Sequence, residues 1–135
     1  IMDEQIIYNA IRTPDGEVLV SRHRHDYVTH TDANGKDYMV DGGLDYLRRM
    51  LTTDAVELSQ YDDGTVEHAR EHLEWGTYGK NGDQPLTYVK LKDMDTEHIK
   101  AILDDNDIGK CHLSPLYLEY FTEELIYREE NESDD

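Results

Sequence analysis

Between Gln5 and Val40 the chain alternates short β-prone runs with turn chemistry, and this alternation limits its fold more than any other feature. Ile6-Ile7-Tyr8-Asn9-Ala10-Ile11 is followed by Pro14-Asp15-Gly16 and then by Val18-Leu19-Val20, which predicts a hairpin. His25-Asp26-Tyr27-Val28-Thr29-His30 meets Tyr38-Met39-Val40 across Asp32-Ala33-Asn34-Gly35-Lys36, where Asn34-Gly35 is expected to supply positive backbone angles. That predicts a second hairpin. A small antiparallel sheet of this kind leaves one face uncovered, so helices or a partner must cover it.

Helical spacing follows. After the Asp41-Gly42-Gly43 break, Leu44, Leu47, Met50 and Leu51 predict a short helix over 44–51. Thr65 is a cap for a helix reaching Trp75 on the apolar positions Val66, Ala69 and Leu73. The glycines and proline between Trp75 and Leu86 predict a loop or tight β turn, and Thr87 to Leu91 a further strand. Asp95 or Thr96 caps a helix through Ile99, Ile102 and Leu103, and Ser114-Pro115 opens a last one through Leu118, Phe121, Leu125 and Ile126. The predicted class is α+β: a small antiparallel β-sheet of two N-terminal hairpins plus a later strand, with three to four helices. The C-terminal helices pack on the sheet or on a partner protomer. Residues 1–128 read as a single domain and 129–135 as an acidic disordered tail.

Composition narrows function. Among 135 residues, 13 Lys and Arg stand against 31 Asp and Glu, a net charge of −18 that repels nucleic-acid backbones and anionic lipid. About −3 of this falls in residues 1–50 and about −15 in the remainder, so an anion is more readily received in the first third. No apolar run approaches the ~20 residues that cross a bilayer, and no secretion signal is recognised, which predicts a cytosolic protein. A single cysteine, Cys111, makes neither an internal disulfide nor a Cys-rich zinc cage.

Several clusters carry chemistry. Ser21-Arg22-His23-Arg24-His25-Asp26-Tyr27, if extended, sends Arg22, Arg24 and Asp26 to one face and His23, His25 and Tyr27 to the other. Two guanidinium forks at that spacing suit a phosphate, whereas ion pairs with carboxylates elsewhere, or a His-x-His metal site, are the other readings. His68-Ala69-Arg70-Glu71-His72 matches a zinc-peptidase pattern, but no distant third ligand is marked, so a solvated helix face is the plainer reading. Phosphate-binding loops of the Walker and Rossmann kinds are absent. Trp75, Tyr78 and Lys80 with the amides of the glycine-rich segment suit an adenine and a phosphate, the alternative being a plain hairpin with core aromatics. No Ser-His-Asp spacing occurs, and Cys111 beside His112 reads as incidental, so an enzyme is not expected.

Two blocks carry a resemblance: Ser21 to Val28 continuing to Val40-Asp41-Gly42-Gly43-Leu44-Asp45-Tyr46-Leu47-Arg48-Arg49, and Trp75-Gly76-Thr77-Tyr78-Gly79-Lys80 continuing through Gln84-Pro85-Leu86 to Asp93-Met94 and His98-Ile99. They resemble small phage-encoded proteins. The first block is also similar to bacterial and phage proteins whose hairpin turns carry cysteine pairs, which Thr13 to Gly16 and Asp32 to Gly35 replace here. The functional group it resembles is the phage anti-Thoeris sponge proteins, which sequester cyclic ADP-ribose signals of bacterial immunity. That resemblance implies a homo-oligomer, dimers assembling into a hexamer, with ligand pockets at protomer boundaries, no turnover, no cofactor, and residence in the cytoplasm of the infected host. Some members also hold cyclic oligonucleotides at a second site. It places Arg24 at a phosphate, and Asp93-Met94 where an asparagine and a methionine flank an adenine. Lys110 falls where arginine is expected. Asp93 departs from the pattern because an ionised carboxylate only accepts hydrogen bonds, and Lys110 departs because lysine lacks the planar fork.

The expected ligand-binding set is therefore Arg22, Arg24, His25, Tyr27, Trp75, Tyr78, Lys80, Asp93, Met94 and Lys110, with no catalytic or metal residues. The competing expectation is an acidic interaction protein, a nucleic-acid mimic that blocks a host or defence protein by direct binding.

Overall fold

The computed structural model describes residues 5–79 and 81–131. The chain clusters into two compact units, residues 1–63 and 64–135. The class is α+β, with antiparallel strands and three α-helices among the described residues.

Unit 1 holds eight strands: β1 (Ile6–Tyr8), β2 (Ala10–Arg12), β3 (Val18–Val20), β4 (Val28–Thr31), β5 (Asp37–Asp41), β6 (Arg48–Met50), β7 (Val56–Glu57) and β8 (Gln60–Tyr61). Both predicted hairpins form. β2 pairs with β3 across Pro14-Asp15-Gly16, and β4 pairs with β5 across Asp32 to Lys36. In the second turn the Asp32 carboxylate accepts the Asn34 and Lys36 N–H groups, each at 2.9 Å, and Gly35 alone takes a positive φ while Asn34 does not. The strands form three small sheets, ordered β1-β8, β3-β2-β7 and β4-β5-β6. Ile11, Leu19, Tyr38 and Val40 form the core, with Val28 and Ala55 packed against it.

The helix expected over 44–51 is instead a turn followed by β6. Gly42 and Gly43 both take positive φ, Tyr46 N–H and Asp45 N–H return to the Gly42 carbonyl, and Arg48 to Met50 then pair with Asp41 to Met39 of β5. The buried Asn9 side chain fixes this path: its amide donates to the Asp41 and Gly43 carbonyls at 3.0 and 2.9 Å, and its oxygen accepts Arg49 Nη2 at 2.6 Å. A buried amide satisfied on both ends overrides a local helical period.

His30 of β4 reaches Asp15 in the β2–β3 turn, Nε2 to Oδ2 at 2.9 Å. That bond holds the His30 imidazole above its ordinary value. The Thr13 hydroxyl first, and His30 second, hold the Asp15 carboxyl below its own. The imidazolium contribution is full below about pH 6.5, the unfolded value, and is lost as pH rises through the higher folded value. The carboxylate contribution is present above about pH 3.9 and is lost as pH falls through the lower folded value. Unit 1 is therefore steadied most between about pH 4 and 6.5. In thermal unfolding followed by circular dichroism, His30→Gln should flatten the decline in melting temperature above that window; an unchanged slope would assign the pH dependence elsewhere.

Unit 2 begins with α1 (Val66–His72), capped by the Thr65 hydroxyl, which accepts His68 N–H at 3.2 Å. The helix stops at His72 rather than reaching Trp75, because Leu73 turns to extended backbone and is buried. β9 (Glu74–Thr77) and β10 (Thr87–Lys90) pair as a hairpin, followed by a 3-10 turn (Leu91–Asp93), α2 (Thr96–Asp107) and α3 (Pro115–Asn131). The predicted later strand thus pairs with β9. Glu129, Glu130 and Asn131, expected in a disordered tail, are the last residues of α3, and 132–135 lie outside the described residues. Ala69, Leu73, Leu91, Met94, Ile99, Ile102, Tyr120 and Phe121 are the core of this unit. No helix among the described residues is long and apolar enough to cross a membrane.

Candidate functional site

Unit 2 contains a cleft of about 610 Å3 between the β9–β10 hairpin, toward its loop end, and the first half of α2. Thr77, Gly79 and Val89 line it from the hairpin, and Asp93 to His98 with Ala101 line it from the 3-10 turn and α2. Local chemistry shapes both walls. The Thr77 hydroxyl accepts Gly79 N–H at 3.1 Å, and Gln84 N–H closes the loop on the Tyr78 carbonyl at 2.8 Å. Leu91 N–H binds the Leu73 carbonyl at 2.9 Å and Met94 N–H the Leu91 carbonyl at 3.2 Å, which seats the buried Met94 thioether as an apolar patch. Around it stand the exposed carboxylates Asp93, Asp95 and Glu97, the half-buried His98, and Thr96, whose hydroxyl accepts Arg128 Nη1 at 2.8 Å. A soft apolar patch beside hydrogen-bond acceptors suits a flat heterocycle bearing amino groups.

Of the residues expected to bind ligand, Asp93 and Met94 share this cleft, and Tyr78 stands exposed between two of its lining residues. Trp75 does not line it. Its ring packs edge-on against Tyr117 and Phe121, at 5.2 and 5.3 Å between centroids, so it takes the core-aromatic reading. Lys110 follows the far end of α2 and is not among the residues lining the cleft. Lys80 lies outside the described residues. The expected set left out Thr77, Gly79, Val89, Asp95, Thr96, Glu97, His98 and Ala101; the glycine-rich segment, the Asp95-Thr96 helix start and His98 in the second block were the local signals for some of them.

Arg22, Arg24, His25 and Tyr27 lie in unit 1. The expected alternation of faces does not occur, because residues 22–27 form a turn: the Asp26 carboxylate accepts Arg22 N–H at 2.7 Å, and Asp26 N–H binds the His23 carbonyl at 2.9 Å. Arg24, His25 and Tyr27 are exposed. Arg24 stands 3.8 Å from Asp45, both side chains more than half exposed, a contact that costs little to exchange for another anion. Arg48, which the sequence reading left out, stands 3.6 Å from the buried Asp41 in the same stretch.

The His68-x-x-Glu71-His72 pattern does lie on a helix, but Glu71 is held by Lys92 Nζ at 2.8 Å rather than presented to a water. That bond keeps the Glu71 carboxyl below, and the Lys92 ammonium above, their ordinary values. Among the described residues no three His, Cys, Asp or Glu side chains are grouped to hold a metal ion. Cys111 Sγ is directed at the Ile102 carbonyl, at 3.7 Å.

No protein-family model matches the chain, and neither the curated proteins nor the solved structures contain a match.

Proposed function

We propose that the chain binds and sequesters a cyclic nucleotide signal, of the cyclic ADP-ribose kind, without turning it over. The observation that carries this reading is the unit 2 cleft, where the buried Met94 offers a surface for a purine face and Asp93 accepts from its exocyclic amine. The resemblance of both sequence blocks to anti-Thoeris sponges supports the same ligand class. Lys110, past the end of α2 and outside this cleft's lining, is assigned to ligand held by a second copy, as the resemblance to dimers or hexamers with pockets at protomer boundaries implies. Arg24, with Arg22, His25 and Tyr27 around it, is the candidate for a second, phosphate-binding site for cyclic oligonucleotides.

Native mass spectrometry with cyclic ADP-ribose isomers and cyclic di- and trinucleotides tests this. The expected result is an oligomer carrying intact ligand at a fixed ratio. Met94→Arg should abolish adenine-type binding, and Asp93→Asn, at an exposed position, should tighten it several-fold by restoring a donor. A changed ligand mass would make the protein an enzyme. Ligand-free spectra throughout would favour the alternative, an acidic interaction protein using the exposed Asp104, Asp107, Glu119, Glu129 and Glu130 of α2 and α3.

A further inference from the structure

The two histidines of α1 stand one turn apart, with ring centroids 4.6 Å from each other and ring planes tilted by 52°. Two metal–nitrogen bonds of about 2.0–2.1 Å meeting at about 90–110° set imidazole centroids about 4.5–5.2 Å apart. The observed spacing falls within that range. We infer that His68 and His72 form a two-imidazole clamp for a borderline divalent ion, copper(II) foremost, with water completing the coordination.

The surroundings bear on affinity. Both rings are half-buried at the surface of α1, so one side is fixed and the other open to water. Of the charged side chains acting on His72, Lys90 opposes a bound cation and Glu71 favours one. Glu71 already compensates Lys92 at 2.8 Å. Lys90 is thus the cation a bound metal would face, and it weakens the clamp without blocking it. With only two protein ligands, selectivity follows the general order for nitrogen donors, copper(II) above nickel(II) and zinc(II).

The test is titration of the full chain with copper(II), read by electron paramagnetic resonance and by calorimetry, with folding checked by thermal melting in chelator. The clamp predicts one site with two nitrogen donors. His68→Gln and His72→Gln should each loosen it at least tenfold while the melt in chelator stays near that of the parent chain. His112→Gln, at an exposed position outside both sites, should leave it unchanged. Lys90→Gln should tighten it several-fold, a gain that a purely packing role for the two rings does not produce. Undiminished binding by His68→Gln, or no tightening with Lys90→Gln, would overturn the assignment.

Discussion

Glu124→Ala is expected to cost unit 2 about 3–5 kcal/mol, the range for removing one partner of a buried charge network. The Glu124 side chain is fully buried and accepts Arg70 Nε at 2.8 Å and Arg128 Nε at 2.6 Å. Arg128 also donates to Thr96 Oγ1 at 2.8 Å and to the Leu91 carbonyl at 3.1 Å, while Arg70 lies over the Tyr127 ring at 4.2 Å. One carboxylate therefore compensates two guanidiniums that tie α1, α2, α3 and the 3-10 turn together. Its loss removes the one fully buried carboxylate that both guanidiniums share. Urea unfolding gives the loss directly, and Glu124→Gln, which keeps the shape, should recover only a minor part of it. Since Thr96 lines the cleft, the proposed sequestration predicts that nucleotide affinity falls in parallel; a stable variant with normal unfolding would show that the arginines find other partners.

Gly43→Ala should be about as damaging to unit 1, at about 4 kcal/mol, a large share of the ~5–15 kcal/mol that holds a small domain. Gly43 is buried at φ +54°, and a Cβ there would overlap the backbone of His23. The segment has nowhere to retreat, because Gly43 N–H donates to Ser21 Oγ at 2.9 Å and its carbonyl accepts Asn9 Nδ2 at 2.9 Å. Gly16→Ala is the matched control: its φ is also positive, but nothing lies within 4 Å of the added atom, so only the backbone cost of about 1 kcal/mol remains. Equal effects at the two positions would mean that backbone angle, rather than the close approach to His23, makes Gly43 necessary.

The hairpins and the last two helices were legible in the sequence because their determinants are local. Pro14-Asp15-Gly16 and Asp32 to Gly35 act within a few residues of themselves, and Ser114 Oγ accepts Tyr117 N–H at 3.4 Å at the start of α3, whereas α2 starts at the expected Asp95 without the expected side-chain cap. β6 was misread for the opposite reason. Leu44, Leu47 and Leu51 do repeat at helical spacing, yet none is fully buried, and the strand is set by β5 and by Arg49 anchored on Asn9, Glu57 and Ser59. The two-residue strands β7 and β8 have no period to read. In the candidate site, Asp93 and Met94 were legible through resemblance, whereas Thr77, Gly79 and Val89 join them only through hairpin pairing. Trp75 was read toward a ligand because an aromatic beside glycines has the same pattern whether it meets a base or Tyr117 and Phe121.

The pairing of β1 with β8 also sets an order of events during synthesis. Ile6 lies opposite Tyr61 and Tyr8 opposite Gln60, and Asp62 N–H closes on the Gln5 carbonyl at 2.8 Å. A ribosome that has made the β2–β3 and β4–β5 hairpins has supplied both partners of each, but β1 must wait for residue 60 and beyond. Throughout that interval Ile6, buried in the finished unit, lacks its β8 partner.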